Sequence, residues 1–285
     1  MKKRAIVLEG GSLRCMFSAG AMDIFMKEGF TADGLFGVSA GALTGVNIVS
    51  GQPGRTAKVN LDYVNDKRYL GLRNLLLHRS IFNFDFLFGE VCDTLVPLDR
   101  EAFHSSPMEY TAVATSCLTG APMYYEKSRC EDIYPAIRAS ASLPLLAPMV
   151  LVEGTPCLDG GVSVSIPYQK AIDEGYEKIL VVTTREHGYQ KQPVPHTAAK
   201  LYAHHYRKYP ELVRSILNTP RRYNKELIEL DRLEAEKRVF VIRPPKPVTV
   251  SRTEKDLEKL QALYDEGAET FRKLQEAFAA YWEEE

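Results

Sequence analysis

Short apolar runs, each followed by a turn and then a helix-like pattern, set the fold that this chain can adopt. Residues 5–8 form the first run, which leads through two glycines into a predicted helix over residues 17–28. Residues 35–38 form the second run, which leads into a predicted helix over residues 40–49. Strand, turn and helix repeated in this order indicate an α/β fold with a largely parallel sheet.

The same alternation continues towards the C-terminus. Strands are predicted at residues 110–115, 122–125, 179–183 and 239–242, and a further helix is predicted at residues 133–139. The final helix is predicted to begin at a capping box of Ser251 and Glu254 and to pack one apolar face on the core. Because the strand near Val239 is expected to join the main sheet, residues 187–285 are not expected to form an independent domain.

The charge and cysteine content exclude several classes of partner. With 36 basic and 37 acidic residues, the formal net charge is -1, which gives no electrostatic reason to expect nucleic acid. The five cysteines are widely spaced and form no CxxC pair, so we expect neither a zinc site nor a redox motif. No EF-hand-like loop is present, and no metal or cofactor is expected. No sequence feature indicates a particular oligomeric state.

The N-terminal sequence resembles a secretion signal only superficially. Basic residues precede the apolar residues 5–8, but Glu9 ends that run, and a signal peptide needs roughly 7–15 apolar residues. No stretch approaches the ~18 apolar residues of a membrane span. We therefore expect a soluble, cytoplasmic protein whose membrane contact, if any, is peripheral.

A first short motif, Gly37-Val38-Ser39-Ala40-Gly41, lies between the second predicted strand and its helix. This G-x-S-x-G pattern is typical of a nucleophile elbow, a strained turn that presents a serine Oγ at a helix N-terminus. Gly37 and Gly41 would let strand and helix approach closely, and the helix N-terminus favours negative charge. Alone, the pattern also fits a serine that caps a helix between glycines.

A second motif, Glu-Gly-Gly-Ser-Leu-Arg at residues 9–14, follows the first predicted strand. A Gly-rich turn before a helix presents backbone N–H groups to an anion, either a phosphate or the oxyanion of a tetrahedral intermediate. The sequence also fits a tight turn without a ligand. A dinucleotide site would need glycine in place of Ser12 and Cys15, and a Walker A loop would need a following G-K-[ST]. Nucleotide binding is therefore disfavoured.

The third motif is Asp159-Gly160-Gly161, which alone is typical of a turn. It has a second interpretation here, because a serine nucleophile needs a base to accept its proton. The late histidines lie in polar or basic stretches without the strand-and-loop context of a triad histidine. They are His187, His196, His204 and His205. A triad that contains histidine is therefore the less favoured alternative.

In this order and context, the three motifs resemble the patatin-like phospholipase family. The family pattern is a Gly-rich oxyanion loop ending in a basic residue, then a G-x-S-x-G, and much further on a D-G-[AG]. Residues 137–144 and 166–174 resemble the family's sequence before and after the aspartate. The resemblance covers residues 4–185, and residues 186–285 resemble the C-terminal extension of bacterial members of the YjjU-like type.

The resemblance implies a three-layer α/β fold, with a central, mostly parallel sheet flanked by helices, in a catalytic domain over residues 4–185. Residues 186–285 would form a mostly helical extension packed on that core. The implied chemistry is a Ser–Asp dyad, in which Ser39 attacks an ester carbonyl and Asp159 accepts its proton, with an acyl-enzyme intermediate. The implied partner is a lipid or other acyl-ester substrate, and neither a metal nor a cofactor is implied.

The resemblance also implies an oxyanion hole in the loop after the first strand. The implied loop residues are Gly10, Gly11, Ser12, Leu13 and Arg14. Backbone N–H groups of the middle three would hold the oxyanion, and the arginine would add positive charge. Gly160 and Gly161 would form the turn that follows the base.

Two residues depart from the family's pattern, which usually has glycine where this chain has Ser12 and Cys15. If position 12 requires a positive φ, a serine there is strained. A thiol at a helix N-terminus can have a lowered pKa, although a small residue tolerated in place of glycine is the favoured interpretation of Cys15.

Residues 81–88 contain phenylalanine at every second position. In an extended segment these rings would share one face. The segment is interpreted either as an apolar wall or lid for an acyl chain, or as ordinary core.

Three functions remain open on the sequence. The favoured one is an active acyl-hydrolase on lipids or other carboxylic esters. The second is a catalytically weak regulatory or lipid-binding relative, which the residues at positions 12 and 15 suggest. The third is a phosphate- or nucleotide-binding α/β protein that uses the loop at Gly10 and Gly11.

Overall fold

The computed structural model describes residues 2–284, apart from the side chains of Leu72 and His78. Eight strands form one sheet. They are β1 Arg4–Leu8, β2 Gly34–Val38, β3 Glu109–Ser116, β4 Pro122–Glu126, β5 Val150–Val152, β6 Thr155–Asp159, β7 Lys178–Val182 and β8 Phe240–Ile242. The strand order is β5-β6-β3-β2-β1-β7-β8, with β4 paired to β3 outside this path.

Eleven α-helices are described around the sheet. They are α1 Cys15–Lys27, α2 Ala40–Val49, α3 Arg55–Tyr63, α4 Leu72–His78, α5 Phe84–Phe86, α6 Arg100–Ser105, α7 Tyr134–Ser140, α8 Tyr168–Asp173, α9 His196–His205, α10 Pro210–Ala235 and α11 Leu257–Glu283. Short 3-10 turns precede α1 and follow β6, at Ser12–Arg14 and Gly160–Val162, and a π-helical stretch over Leu87–Leu95 continues α5.

The centre of the sheet is parallel and is covered on both faces. Strands β3, β2, β1, β7 and β8 run parallel to one another, while β4, β5 and β6 pair antiparallel. Alternate residues of β1 point to opposite faces: Ile6 packs in the core that contains α1, α2 and α11, and Val7 packs against α8 and α10. Such strands read as continuous apolar runs because both faces are buried. The predicted α/β fold, with a mostly parallel sheet flanked by helices, is confirmed.

One edge of β3 is shared by two strands. Strand β2 pairs with β3 in parallel as far as Val38 opposite Val113, and β6 pairs antiparallel beginning at Asp159 opposite Ala114. Since β4 pairs with residues 111–115 of β3, it occupies the other edge. Strands β2 and β6 therefore meet end to end along β3, which brings the end of each close to the other.

The C-terminal region contributes to the same sheet and core. Strand β8 pairs with β7, as the sequence predicts for the strand near Val239. Helix α11 packs on α1, and the two backbones approach closely at two glycines, Gly20 and Gly267. Aromatic side chains fill the rest of this contact, including Phe25, Phe271 and Trp282. The division of the chain at residues 4–185 and 186–285 stays a prediction.

One local prediction is wrong. Helix α11 begins at Leu257 instead of at the predicted capping box, because the Asp256 carboxylate caps the N–H groups of Glu258 and Lys259. Glu254 does accept a hydrogen bond from the Ser251 N–H at 3.4 Å, but no helix follows directly.

The phenylalanine-rich segment is helical from Phe84 onward, whereas Phe82 pairs with Leu70 in an isolated antiparallel bridge. The Asn83 side chain accepts a hydrogen bond from the Phe86 N–H and starts a helical turn at Phe84. A local side-chain cap of this kind outweighs the alternating pattern, which alone favours a strand.

We expect Gly20→Ala to destabilise the protein by about 2 kcal/mol or more, because the added Cβ would lie 1.9 Å from the Tyr264 carbonyl oxygen of α11. The free energy of unfolding from denaturant titration measures this. The matched control is Gly89→Ala, whose Cβ meets no heavy atom within 4 Å. Equal stability of the two variants would show that α1 and α11 do not approach as described.

Candidate active site

Ser39 occupies a strained turn between β2 and α2. Its backbone has φ 55 and ψ -125, a region that residues other than glycine rarely adopt. The flanking glycines are sterically required, since a Cβ on Gly41 would lie 2.5 Å from the Leu8 carbonyl oxygen and one on Gly37 2.6 Å from the Ala42 Cα. The geometry is that of a nucleophile elbow.

Asp159 lies at the end of β6 and contacts Ser39 directly. The Ser39 Oγ donates a hydrogen bond to Asp159 Oδ2 at 2.6 Å. The other carboxylate oxygen, Oδ1, accepts a bond from the Gly161 N–H at 2.8 Å, which fixes the orientation of the carboxylate. Both side chains are buried, and Asp159 is only 3% exposed. This burial raises the pKa of Asp159 to about 6, although the bonds from Ser39 and Gly161 favour the ionised form.

Ser140 fills the junction where β2 and β6 meet. Its Oγ accepts a hydrogen bond from the Ser39 N–H at 2.9 Å and donates one to the Val113 carbonyl oxygen at 2.6 Å. Gly160 is packed against the same carbonyl, because a Cβ there would lie 2.1 Å from it. Sequence reasoning missed Ser140, whose only signal is its place in the stretch 137–144.

The glycine-rich loop after β1 faces this pair. Within the described part of the chain, the N–H groups of Gly11, Ser12 and Leu13 donate to no protein acceptor. Gly10 packs directly on the elbow, since a Cβ there would lie 2.8 Å from the Ser39 Cβ. Ser12 has φ 49, so the positive φ considered from the sequence is present and the serine is strained.

Glu9 anchors the start of this loop to two other parts of the fold. Its carboxylate accepts hydrogen bonds from the Thr184 N–H at 2.6 Å and from the Tyr223 hydroxyl at 2.8 Å. The Thr184 hydroxyl also donates to the Gly10 carbonyl at 3.0 Å. Tyr223 lies on α10, so the C-terminal region helps to fix the loop. No local motif in the sequence indicates this contact.

Two cavities of different character meet at Ser39, and both are also lined by Ser12 and Leu143. The apolar cavity, of about 80 Å³, is lined mainly by aliphatic and aromatic side chains, among them Leu43, Val59, Phe82, Phe84 and Phe88. The polar cavity, of about 450 Å³, also contains Asp159 and is lined by charged residues and by residues of α10. The phenylalanine-rich segment thus forms part of a wall beside the serine.

Burial shifts the pKa values of the two residues that follow the loop. Arg14 is 8% exposed as a residue, and burial together with the charges of Arg185 and Arg252 lowers the pKa of its guanidinium to about 10. The Cys15 thiol is buried at the start of α1, and burial raises its pKa to about 12. Cys15 therefore lacks the thiolate character of a reactive cysteine.

Among the described residues, no histidine lines either cavity. Across residues 2–284, apart from the side chains of Leu72 and His78, no group of three or more histidine, cysteine or acidic side chains could hold a metal ion. Over the same residues, every helix is too short or too polar to cross a membrane.

Comparison with known proteins gives family matches for most of the chain. Residues 6–172 match the family model described as patatin-like phospholipase, and residues 209–283 match a domain of unknown function, DUF6363. The uncharacterized protein YjjU of Escherichia coli (strain K12) is 29% identical over 185 residues, which are 63% of this chain. The matched region is 51% of YjjU, so the likeness spans about half the length of that relative.

The fold is similar to that of a solved structure. The crystal structure of VipD from Legionella pneumophila superposes with a TM-score of 0.50 at 12% identity, over 97% of this chain and 67% of VipD. ExoU of Pseudomonas aeruginosa, solved in complex with SpcU, gives a TM-score of 0.40 at 14% identity, over 97% of this chain and 52% of ExoU. Because the patatin-like phospholipase model matches residues 6–172, which are more than half of this chain, the chain belongs to the patatin-like phospholipase family.

Proposed function

We propose that this protein is a serine acyl-hydrolase in which Ser39 is the nucleophile and Asp159 the general base. The observation that carries the proposal is the 2.6 Å hydrogen bond from the Ser39 Oγ to a buried carboxylate. Nucleophile and base within hydrogen-bond reach are the signature of an activated serine. Membership of the patatin-like phospholipase family supports a lipid or another carboxylic ester as the substrate.

In the acylation step, the Ser39 Oγ attacks the ester carbonyl carbon as its proton passes to Asp159. The carbonyl oxygen becomes an oxyanion, and the N–H groups of Gly11, Ser12 and Leu13, which have no acceptor among the described residues, would donate to it. Arg14, which follows them, adds positive charge nearby. The tetrahedral intermediate collapses when the C–O bond to the leaving alcohol breaks, and the alcohol takes the proton from Asp159.

Deacylation repeats these steps with water. Asp159 accepts a proton from a water molecule, which attacks the acyl carbon, and the bond from that carbon to the Ser39 Oγ breaks as the serine recovers its proton. The Gly161 N–H holds the second carboxylate oxygen throughout, so the base keeps its orientation in both steps. Asp159 alone thus performs the proton transfers that a histidine performs in a triad.

The apolar cavity is suited to the acyl chain. It opens beside Ser39 and is lined by Leu43, Val59 and phenylalanines of the segment 82–88. Burial of each CH₂ group there would stabilise the bound acyl chain by about 0.8 kcal/mol. Preference among acyl lengths would follow from how much of the chain this cavity holds.

A catalytically weak, lipid-binding protein is the alternative proposal. Its support is the serine at position 12, which puts a side chain and a strained φ of 49 into the oxyanion loop. Labelling with a serine-reactive phosphonate distinguishes the two proposals, because only an activated Ser39 reacts. A protein that binds lipid but resists the phosphonate would support the alternative.

Replacing either member of the pair should abolish ester hydrolysis. We expect Ser39→Ala and Asp159→Asn each to lower kcat/KM for p-nitrophenyl esters by roughly 1000-fold or more, since each removes an essential step of proton transfer. Ser18→Ala is the matched control, because the buried Ser18 hydroxyl has no hydrogen-bond partner among the described residues and lies outside both cavity linings. Hydrolysis that persists without Ser39 would disprove the mechanism.

The raised pKa of Asp159 predicts opposite effects of pH on activity and on stability. Activity needs the ionised carboxylate, so kcat/KM should rise through about pH 6 and level off above about pH 7. A folded-state pKa above the unfolded value means that folding favours the protonated form. The wild type therefore loses stability as pH rises from about 4 to about 6, by roughly 3 kcal/mol from this group.

Asp159→Asn tests the stability half of that prediction. We expect this inactive variant to be more stable than the wild type at pH 8 by up to roughly 3 kcal/mol, with the gain lost near pH 4. Denaturant titration at the two pH values measures the difference. A variant that is less stable than the wild type at both pH values would show that burial does not disfavour the ionised carboxylate in the folded protein.

Tyr223 is proposed to act through Glu9 on the oxyanion loop. We expect Tyr223→Phe to lower kcat by roughly tenfold with a smaller change in KM, because a buried carboxylate loses one of its two donors. Tyr125→Phe is the matched control, since the Tyr125 hydroxyl is hydrogen-bonded to the Cys157 sulfur and Tyr125 is not among the described lining residues of either cavity. An unchanged kcat would exclude the positioning role.

A further inference from the structure

The polar cavity beside Ser39 collects positive charge. Four cationic side chains line it, from the oxyanion loop, the segment after β7 and the segment before α11: Arg14, Arg185, Lys191 and Arg252. Among the described residues, no carboxylate lies within ion-pair distance of any of the four. Residues far apart in the sequence thus place their charged groups around the same cavity.

The two acidic residues of the lining offset these cations only in part. Glu9 is bound by the Thr184 N–H and the Tyr223 hydroxyl, and Asp159 is bound by Ser39 and the Gly161 N–H. With both carboxylates ionised, the cavity still carries an excess of two positive charges. A low-dielectric wall around such a charge strengthens its attraction for an anion.

Burial of the Arg14 side chain is energetically unfavourable. Its side chain is more than nine-tenths buried, and its Nε has no hydrogen-bond partner among the described residues. Leaving a charged donor buried and unsatisfied costs about 1–3 kcal/mol or more. Burial and the neighbouring Arg252 also lower the pKa of Lys191, to about 8. A bound anion would give the buried Arg14 side chain a hydrogen-bond acceptor and would favour the protonated form of Lys191.

The two cavities meet at Ser39 and offer different chemistry to the two halves of an ester, because one lining is mainly apolar and the other is mixed and includes the four cations. The apolar cavity fits the acyl chain, so the leaving alcohol lies on the polar side. At about 450 Å³, the polar cavity has room for a polar group larger than a bare alcohol. Guanidinium and ammonium groups are the usual partners of phosphate oxygens in proteins.

We propose that the polar cavity binds the leaving-group half of the substrate and selects alcohols that carry an anionic phosphate over uncharged or zwitterionic ones. This inference rests on the proposed acyl-hydrolase function. The reaction remains ester hydrolysis: the acyl C–O bond breaks, the alcohol leaves with a proton from Asp159, and the phosphate is bound but not altered. The phosphate can belong to a lipid headgroup or to a small soluble ester, which share this chemistry.

Three monoacyl substrates with the same oleoyl chain test the selectivity: oleoylglycerol 3-phosphate, oleoylglycerol and oleoylglycerophosphocholine. We expect the wild type to favour the first in kcat/KM by about tenfold or more. Arg252→Gln should lower the ratio of phosphate to uncharged substrate by about tenfold, and Arg252→Gln with Lys191→Gln should lower it further. Arg207→Gln, at an exposed arginine outside the cavity lining, should leave the ratio unchanged.

The same measurement with butyrylglycerol 3-phosphate, which stays monomeric in water, identifies the source of the phosphate. Preference for the phosphate in both acyl lengths indicates that the cavity recognises the phosphate itself. A preference confined to the oleoyl series, where the substrate is aggregated, indicates a lipid headgroup. Equal kcat/KM for phosphate-bearing and uncharged substrates in both series would overturn the proposal while leaving the acyl-hydrolase intact.

A binding measurement separates this inference from the proposed function. Calorimetry of the Ser39→Ala variant with glycerol 3-phosphate should show binding that is absent with glycerol and at least tenfold weaker after Arg252→Gln is added. Binding without any ester hydrolysis by the wild type would sustain the anion site and refute the hydrolase. No binding of glycerol 3-phosphate, together with hydrolysis of uncharged esters, would refute the anion site alone.

Discussion

The end-to-end meeting of β2 and β6 along one edge of β3 is the constraint on which the site depends. Strand β2 uses that edge up to Val113, and β6 uses it from Ala114 onward in the opposite direction. The ends of both strands must then converge, which brings together Ser39 and Asp159, 120 residues apart in the chain. Ser140 bridges the break in the ladder by bonding to the Ser39 N–H and the Val113 carbonyl. A loop of this length closes at little more entropic cost than a short one, so long-range convergence is thermodynamically accessible.

Much of the fold follows from local sequence. The apolar runs at 5–8, 35–38 and 179–183 become buried parallel strands because such strands need both faces apolar. The G-x-S-x-G pattern indicates the elbow, since its glycines meet backbone atoms where no Cβ fits. These signals are readable because cause and effect lie within a few residues. The resemblance to the family extended them to a fold class and a family, both of which are confirmed.

The remaining features depend on contacts between distant segments. Ser140 has no motif of its own, and Tyr223 reaches Glu9 from a helix more than 200 residues later. The cations of the polar cavity likewise come from separate segments. The start of α11 also differs from the predicted capping box, because an aspartate two residues beyond that pattern caps the helix instead. Composition and periodicity carry no information about which remote side chains will converge.

The C-terminal region, matched to a domain of unknown function, forms part of the site as well as of the core. From α10, Thr219 and Arg222 donate hydrogen bonds to the Val162 carbonyl just after the Asp159 turn. Strand β8 and α11 complete the sheet and one of its covering layers. The turn that carries the carboxylate is thus supported from outside the patatin-like segment.

Ser12 has a consequence for how the oxyanion loop behaves before substrate arrives. A glycine at its φ of 49 would exchange freely among several backbone conformations, whereas a serine has far fewer alternatives. The strain of this conformation costs about 1 kcal/mol or more. Against that cost, a loop with serine loses less conformational entropy on folding than a loop with glycine. In the proposed mechanism, the amides at positions 11–13 would therefore be oriented before the substrate binds, so that folding, and not substrate binding, arranges the donors to the oxyanion.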